Sequence, residues 1–128
     1  MGSQHLDVPG SSTLKTCTIT MRFEPSTFSA ALALLVSVAG PIQDKRGCRS
    51  CRVERDALDD LSVRYVEEWE SDETFRSHIR SDEFWPVLVT MDLCSEEPEV
   101  VIGNLLANYG MDVLRRLREE IPSNTDMG

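Results

Sequence analysis

The sequence has few basic residues, with 13 Lys and Arg against 22 Asp and Glu and a formal net charge of −9. No cluster of Lys and Arg offsets this surplus, and a negatively charged protein repels phosphate backbones and anionic lipids. We therefore expect that the protein binds neither nucleic acid nor an acidic membrane.

Long hydrophobic runs are also scarce. The longest run, FSAALALLVSVAG at residues 28–40, is shorter than the roughly 20 residues that a transmembrane helix needs. The N-terminal segment is polar and lacks the basic start of a secretory signal peptide. These features predict a soluble, cytoplasmic protein.

Residues typical of metal sites are few, with 2 histidines and 4 cysteines. Without a secretion signal, four cysteines indicate free thiols rather than a disulfide framework. Cys48 and Cys51 form a C-x-x-C pair, but two residues three apart on a strand point to opposite faces, and no second pair completes a zinc set. The GxGxxG, P-loop and HExxH motifs do not occur. We expect no metal site.

The pattern along the chain predicts the order βαββαβ followed by a helix. Residues 1–15 contain too few apolar groups to fold and predict a flexible tail. From Thr16 to Phe23 apolar and polar residues alternate, as in a half-buried strand. Ser26 is the predicted N-cap of a helix that Gly40 and Pro41 end. Further predicted elements are strands at 48–55, 61–70 and 97–106, a helix from Ser71 or Asp72 to Arg80, a helix from Ser81 or Asp82 with Pro86 in its first turn, and an amphipathic helix at 108–121 with Val113, Leu114, Leu117 and Ile121 on one stripe.

This order of elements predicts an α+β fold. With right-handed crossovers it gives a ferredoxin-like, four-stranded antiparallel sheet with both main helices on one face. The other face has no cover from the same chain. If apolar groups lie there, a second sheet must cover them, most simply from an identical chain, so we expect a homodimer.

One stretch, YVEEWESDETFRSHIRSDEF at residues 65–84, places a carboxylate among large apolar side chains. Strand alternation puts Tyr65, Glu67 and Trp69 on one face, and a buried carboxylate needs a partner or a raised pKa. On the next helix, Phe75 and His78 lie on the stripe that faces the sheet. Contact between Glu67 and His78 would fix the imidazole tautomer and raise its basicity, as a general base requires.

Purely structural explanations of the same residues stay open. His78 could be a core histidine bonded to a backbone carbonyl, and Trp69 a large core side chain. Glu67 could instead cap loop amides or form a salt bridge to Arg22 or Arg52 across the sheet.

The segments GCRSCRVER (47–55) and VRYVEEWESDETFRSHIRSDEF (63–84) resemble the antibiotic biosynthesis monooxygenase (ABM) domain. The signature of that domain is a Gly-Cys strand start, E-x-W at the end of the next strand, and a helix that ends in His before Ser-x-x-Phe. The matching residues here are Gly47, Cys48, Glu67, Trp69, His78, Ser81 and Phe84. The resemblance covers residues 16–106, leaves 107–128 as a helical extension and tail, and implies a dimeric α/β barrel made from two ferredoxin-like sheets.

The resemblance also implies a cofactor-independent monooxygenase, with neither metal nor flavin. A phenolic substrate such as a quinol or anthrone would lose a proton, its anion would reduce dioxygen, and the caged pair would recombine. His78 would orient or deprotonate the substrate hydroxyl, and Glu67 would hold His78. The pocket between the sheet and its helices would bind the substrate through Tyr65, Trp69, Met21, Phe28 and Phe75.

This chain departs from parts of the family pattern. The anthrone oxygenases have asparagine where this chain has Tyr65, and the haem-degrading branch has Trp at His78 and its haem ligand near Leu88, which disfavours haem degradation. The alternatives are a non-catalytic ligand-binding or stress-response dimer and a cofactor-free isomerase or decarboxylase. The C-terminal helix is expected either to pack on the partner subunit or to close the pocket mouth.

Overall fold

The computed structural model describes residues 13–105 and 110–127, with side chains described through residue 120. Its elements are β1 (Leu14–Arg22), α1 (Pro25–Gln43), β2 (Cys48–Arg55), β3 (Ser62–Trp69), α2 (Asp72–Ile79), a 3-10 turn (Asp82–Phe84), α3 (Trp85–Asp92), β4 (Glu99–Leu105) and α4 (Met111–Met127). Most of the N-terminal segment expected to be a flexible tail lies outside the described residues.

The four strands form one antiparallel sheet in the order β2-β3-β1-β4. In its register Cys17 pairs with Glu67 and Ile19 pairs with Tyr65. The predicted α+β, ferredoxin-like arrangement is confirmed, and the sheet is open rather than closed.

The core lies between this sheet and the helices on one of its faces. The alternation predicted from Thr16 to Phe23 is confirmed, because Cys17, Ile19 and Met21 of β1 and the following Phe23 are all buried. Residues of α1 and of β3 complete the core, including Phe28, Ala31, Leu35, Ile42, Val63, Tyr65 and Trp69.

The first strand starts earlier than the alternation predicts. Leu14 pairs with Leu105, and Lys15 pairs with Asn104 and Trp69, so both residues belong to β1 rather than to a tail. Pairing with two neighbouring strands extends the ladder beyond the alternating segment, which a pattern within one strand does not reveal.

The predicted bounds of α1 are wrong at both ends. The helix begins at Pro25, after Glu24 and without a side-chain cap, and it continues past Gly40 and Pro41 to Gln43. Proline suits the first position because it lacks the N–H that would be unpaired there. Near the C-terminal end of α1, Pro41 destabilises the helix by about 3 kcal/mol. Complete burial of the Ile42 side chain stabilises the fold by about 1.5–3 kcal/mol and offsets much of that cost.

The longer α1 also corrects the expectation from hydrophobic run length. By length and composition alone this 19-residue helix could cross a membrane. In the fold it packs against β2 and α3 and buries Phe28, Ala31, Leu35 and Ile42 on one side.

The predicted start of α2 is confirmed, whereas α3 begins at Trp85 rather than after a cap at Ser81 or Asp82, because a 3-10 turn occupies Asp82–Phe84. The Ser71 hydroxyl accepts a hydrogen bond from the Thr74 amide at 3.0 Å and caps α2. Pro86 lies in the first turn of α3, after the 3-10 turn.

The two cysteines of C-x-x-C do not point to opposite faces, as strand periodicity predicted. The register shifts between Cys48 and Ser50, so that Cys48 pairs with Trp69 and Cys51 pairs with Glu67. An extra residue in a bulge moves the later side chains to the other face. Both cysteines therefore pack against the core on the helix-facing side.

The C-terminal helix α4 begins at Met111 and presents an apolar stripe that is largely uncovered. Val113 is half-buried, whereas Leu114 and Leu117 are 61% and 51% exposed. The side chain of Ile121, also assigned to this stripe, lies outside the described residues.

Candidate active site: a buried carboxylate network beside an apolar cavity

Glu67 is fully buried on the helix-facing side of β3. Its Oε2 accepts hydrogen bonds from the Tyr65 hydroxyl and from His78 Nε2, the latter at 2.9 Å. Its Oε1 accepts from Trp69 Nε1 at 2.8 Å. Three donors thus replace the water that the carboxylate loses on burial, which explains how the fold tolerates it.

The alternative salt bridges from Glu67 to Arg22 or Arg52 do not form. Arg22 Nε donates to Asp59 Oδ2 at 2.9 Å, and Arg52 pairs with Glu54 and Glu68. Arg52 alternates with the helix-facing positions of β2 and points to the outer face, away from Glu67.

His78 uses both ring nitrogens. Lys45 Nζ lies 3.0 Å from Nδ1, and an ammonium group can only donate, so Nδ1 must accept. The ring proton therefore lies on Nε2 and is donated to Glu67. The predicted contact between Glu67 and His78 is present, but the nitrogen that a general base would use is occupied by Lys45.

Lys45 is a site residue that the sequence analysis missed. Its ammonium also donates to Ser81 Oγ at 3.0 Å and to Glu83 Oε1 at 3.2 Å. It comes from the loop between α1 and β2 and is 33 residues from His78 in the chain. No local pattern separates it from the neighbouring Arg46.

Aromatic rings enclose the imidazole. Trp69 stacks on His78 with ring centroids 4.7 Å apart, and Phe84 meets it edge-on at 5.4 Å. The His78 side chain is only 1% exposed. The ring is therefore held between β3 and the 3-10 turn and has no direct path to solvent.

The hydrogen-bond network also includes Tyr65 and Cys51, and burial raises the pKa of both groups. Burial first, and then the charge of Glu67, raises the pKa of the Tyr65 phenol well above its usual range, so it remains a donor. Cys51 Sγ lies 3.3 Å from the Tyr65 hydroxyl, and burial raises the pKa of this thiol to about 12. Burial likewise raises the pKa of Cys17, which pairs with Glu67 across the sheet, to about 12. Neither thiol is a thiolate at neutral pH.

An apolar cavity of about 410 Å³ lies beside this network, between β1 and β4 on one side and α2 and α3 on the other. Four sheet residues line it, Cys17, Ile19, Val100 and Ile102. The helices and the 3-10 turn contribute Phe75, Ile79, Phe84, Leu88 and Met91. Phe84 lines the cavity and meets the His78 ring edge-on, whereas His78 itself is not among the residues that line the cavity.

The predicted site residues fall into three groups. Phe75 lines the cavity, whereas Tyr65, Glu67, Trp69 and His78 come together in the network behind it. Met21 and Phe28 do neither. Met21 is fully buried in the core, and Phe28 packs against Phe23 and beneath the Arg55 guanidinium. Periodicity correctly gave the face of each residue but not which inward-facing side chains border empty space.

Comparison with known proteins bears on the fold and the family. A sequence model described as antibiotic biosynthesis monooxygenase matches residues 16–85, more than half of the 128-residue chain. Comparison with curated proteins finds no match.

Solved structures share the fold at low sequence identity. A conserved protein from Methanosarcina mazei is 20% identical with a TM-score of 0.65, covering 70% of this chain and 90% of its own. A protein from Mycobacterium tuberculosis is 22% identical with a TM-score of 0.62, covering 78% and 99%. A structure described as an antibiotic biosynthesis monooxygenase is 17% identical with a TM-score of 0.64, covering 73% and 98%. With its E-x-W strand, its helix-borne histidine and this sheet, the chain belongs to the antibiotic biosynthesis monooxygenase family.

Proposed function

We propose that this protein is a cofactor-independent monooxygenase that acts on a small aromatic phenol, such as a quinol or an anthrone. The observation that carries the proposal is the cavity, which has aromatic and aliphatic walls and a volume of about 410 Å³. Such a cavity has room for one small aromatic ligand, and its nine apolar lining residues favour burial of the ring. Family membership supports the reaction class.

The proposed reaction needs a substrate that donates electrons readily once it is deprotonated. For an anthrone, a ring methylene proton passes to water at the open side of the cavity, and the electron-rich anion that remains transfers one electron to dioxygen. Recombination of the resulting radical with superoxide forms a carbon–oxygen bond, and protonation gives a hydroperoxide. Elimination of water then leaves a ketone, so one oxygen atom enters the product and the other leaves as water. The protein supplies the apolar walls against which the ring lies, away from bulk water.

His78 and Glu67 act in this proposal chiefly by holding the cavity wall. A direct role for His78 as base would require Lys45 to leave Nδ1 and the ring to reach the cavity past Phe84. In the positioning role, the network fixes the imidazole, and the imidazole fixes the Phe84 ring that borders the substrate. This positioning role requires no change in the contacts that His78 makes in the structure.

The test is oxygen uptake by metal-stripped, flavin-free protein with a panel of hydroquinones and anthrones, above the autoxidation rate. His78→Gln should lower kcat/KM, and Phe84→Leu should lower it similarly because both loosen the same wall. A positioning role leaves the shape of the pH profile unchanged in His78→Gln. If His78 is the base, this variant instead loses one limb of the profile. Uptake at the autoxidation rate with every substrate would refute the proposed reaction.

A second candidate is a non-catalytic module that binds a ligand in the same cavity. The observation that favours it is the fully bonded state of His78, which is what a structural core histidine requires. Calorimetric binding of a phenol without oxygen consumption would support this candidate over the oxygenase. An isomerase or decarboxylase would instead turn over its substrate without oxygen.

We also propose that the protein forms a homodimer through the outer face of the sheet. Much of this face is polar, with threonines and the Arg64–Glu54 ion pair at 2.8 Å, and its exposed apolar residues include Val101 and Leu105 of β4. Val101→Asp should therefore weaken the dimer in sedimentation experiments. Val36→Asp is the matched control, since Val36 is similarly exposed, at 57% against 55%, but lies on α1. Monomers at all concentrations, or equal effects of both variants, would exclude this interface.

A further inference from the structure

The mouth of the cavity has the opposite charge to the protein as a whole. Three cations, Lys15, Arg76 and Arg80, line the cavity together with a single acid, Asp72. The lining therefore carries a surplus of two positive charges in a chain whose formal net charge is −9. Beneath these groups, the walls are apolar.

Two of the three cations are already bound to the acid. Lys15 Nζ lies 3.0 Å from Asp72 Oδ1, and Arg76 Nε donates to Asp72 Oδ2. These hydrogen bonds, from Arg76 first and Lys15 second, lower the pKa of Asp72, so it stays ionised at neutral pH. Asp72 is thus occupied in holding Lys15 and Arg76.

Arg80 has no such partner. Within residues 13–105 and 110–120, its guanidinium makes neither an ion pair nor a side-chain hydrogen bond, although it lines the cavity. Arg80 is the residue directly after α2, which ends at Ile79. A guanidinium presents a planar fork of donors that matches a carboxylate in a bidentate fashion.

We propose that the cavity binds an anionic amphiphile, an aromatic compound that carries a carboxylate, with the rings against Phe75 and Ile79 and the carboxylate on Arg80. The inference rests on the proposed function for the phenolic group and adds the acid to the substrate class. The positive mouth attracts the anion and disfavours neutral or cationic aromatics. It also stabilises negative charge that develops on the ring system.

The test compares hydroxynaphthoic acid with its uncharged methyl ester, which has the same rings and phenol. Binding is measured by calorimetry under nitrogen at neutral pH, so the result does not depend on turnover. The acid should bind wild-type protein at least tenfold more tightly than the ester. Arg80→Gln should lower affinity for the acid about tenfold and leave affinity for the ester unchanged.

Arg49→Gln is the control, because Arg49 is exposed on β2, lies outside the cavity, and its loss changes net charge by the same amount. Equal binding of acid and ester, or equal losses in the two arginine variants, would overturn the proposal. Selective binding of the acid under nitrogen, together with uptake at the autoxidation rate for every substrate of the panel in air, would uphold it and refute the oxygenase. Oxygen uptake with neutral phenols that does not depend on Arg80 would do the reverse.

Discussion

Replacing the buried carboxylate with its neutral isostere, Glu67→Gln, should destabilise the fold strongly. The amide oxygen can keep the bond from Trp69 only if the NH₂ group takes the place of Oε2. That NH₂ group then faces the Tyr65 hydroxyl, which can turn to accept, and His78 Nε2–H, which cannot because Lys45 holds the other nitrogen.

The cost follows from these contacts. One buried N–H loses its acceptor, at about 1–3 kcal/mol, and the surviving bonds lose the strength that a charged acceptor gives them. We expect the free energy of unfolding to fall by about 3 kcal/mol, within the range for a broken buried pair. The control is Glu68→Gln on the outer face, where a half-buried carboxylate lies 3.7 Å from Arg52. It should cost less than about 1 kcal/mol.

The measurement is urea unfolding followed by circular dichroism at neutral pH, with all proteins at one concentration because self-association would add to stability. Equal losses of stability in the two variants would contradict this expectation, since position 67 would then gain nothing from its three donors.

Other parts of the fold give further expectations. Gly47→Ala should lose at least about 1–2 kcal/mol in the same assay, because Gly47 has φ +88 and a Cβ there would lie 2.7 Å from Thr74. Gly40→Ala should raise the free energy of unfolding by about 0.5–1 kcal/mol, because Gly40 lies within α1 and an added Cβ there meets open space. A Gly40→Ala protein less stable than the Gly47→Ala protein would contradict both expectations. Burial raises the pKa of the Cys17 and Cys51 thiols from 9.0 to about 12. Between these values the thiols ionise in the unfolded chain but stay neutral in the folded protein, so the free energy of unfolding should fall as pH rises from 9 toward 12. A urea midpoint that does not change across this alkaline range would refute that expectation.

The inward-facing residues could be predicted because strand alternation and helix periodicity are local. Alternation placed Glu67 and Trp69 on the core face, and helix spacing placed His78 opposite them. The geometry of the contact then follows from packing one helix on one strand.

Features set by long-range geometry could not be predicted in this way. Lys45 reaches His78 from a loop, and the bulge after Cys48 appears only in the pairing with β3. The position of the cavity depends on how far α2 and α3 stand from β4. Phe75 therefore lines the cavity, whereas Met21 is fully buried in the core.

The most direct test of the account is the fate of labelled dioxygen. Metal-stripped, flavin-free protein would be given an aromatic phenol under heavy-isotope oxygen, and the product analysed by mass spectrometry beside a protein-free control. We predict enzyme-dependent product with one labelled oxygen atom per molecule. Product whose new oxygen comes from water, or turnover that continues without dioxygen, would contradict it.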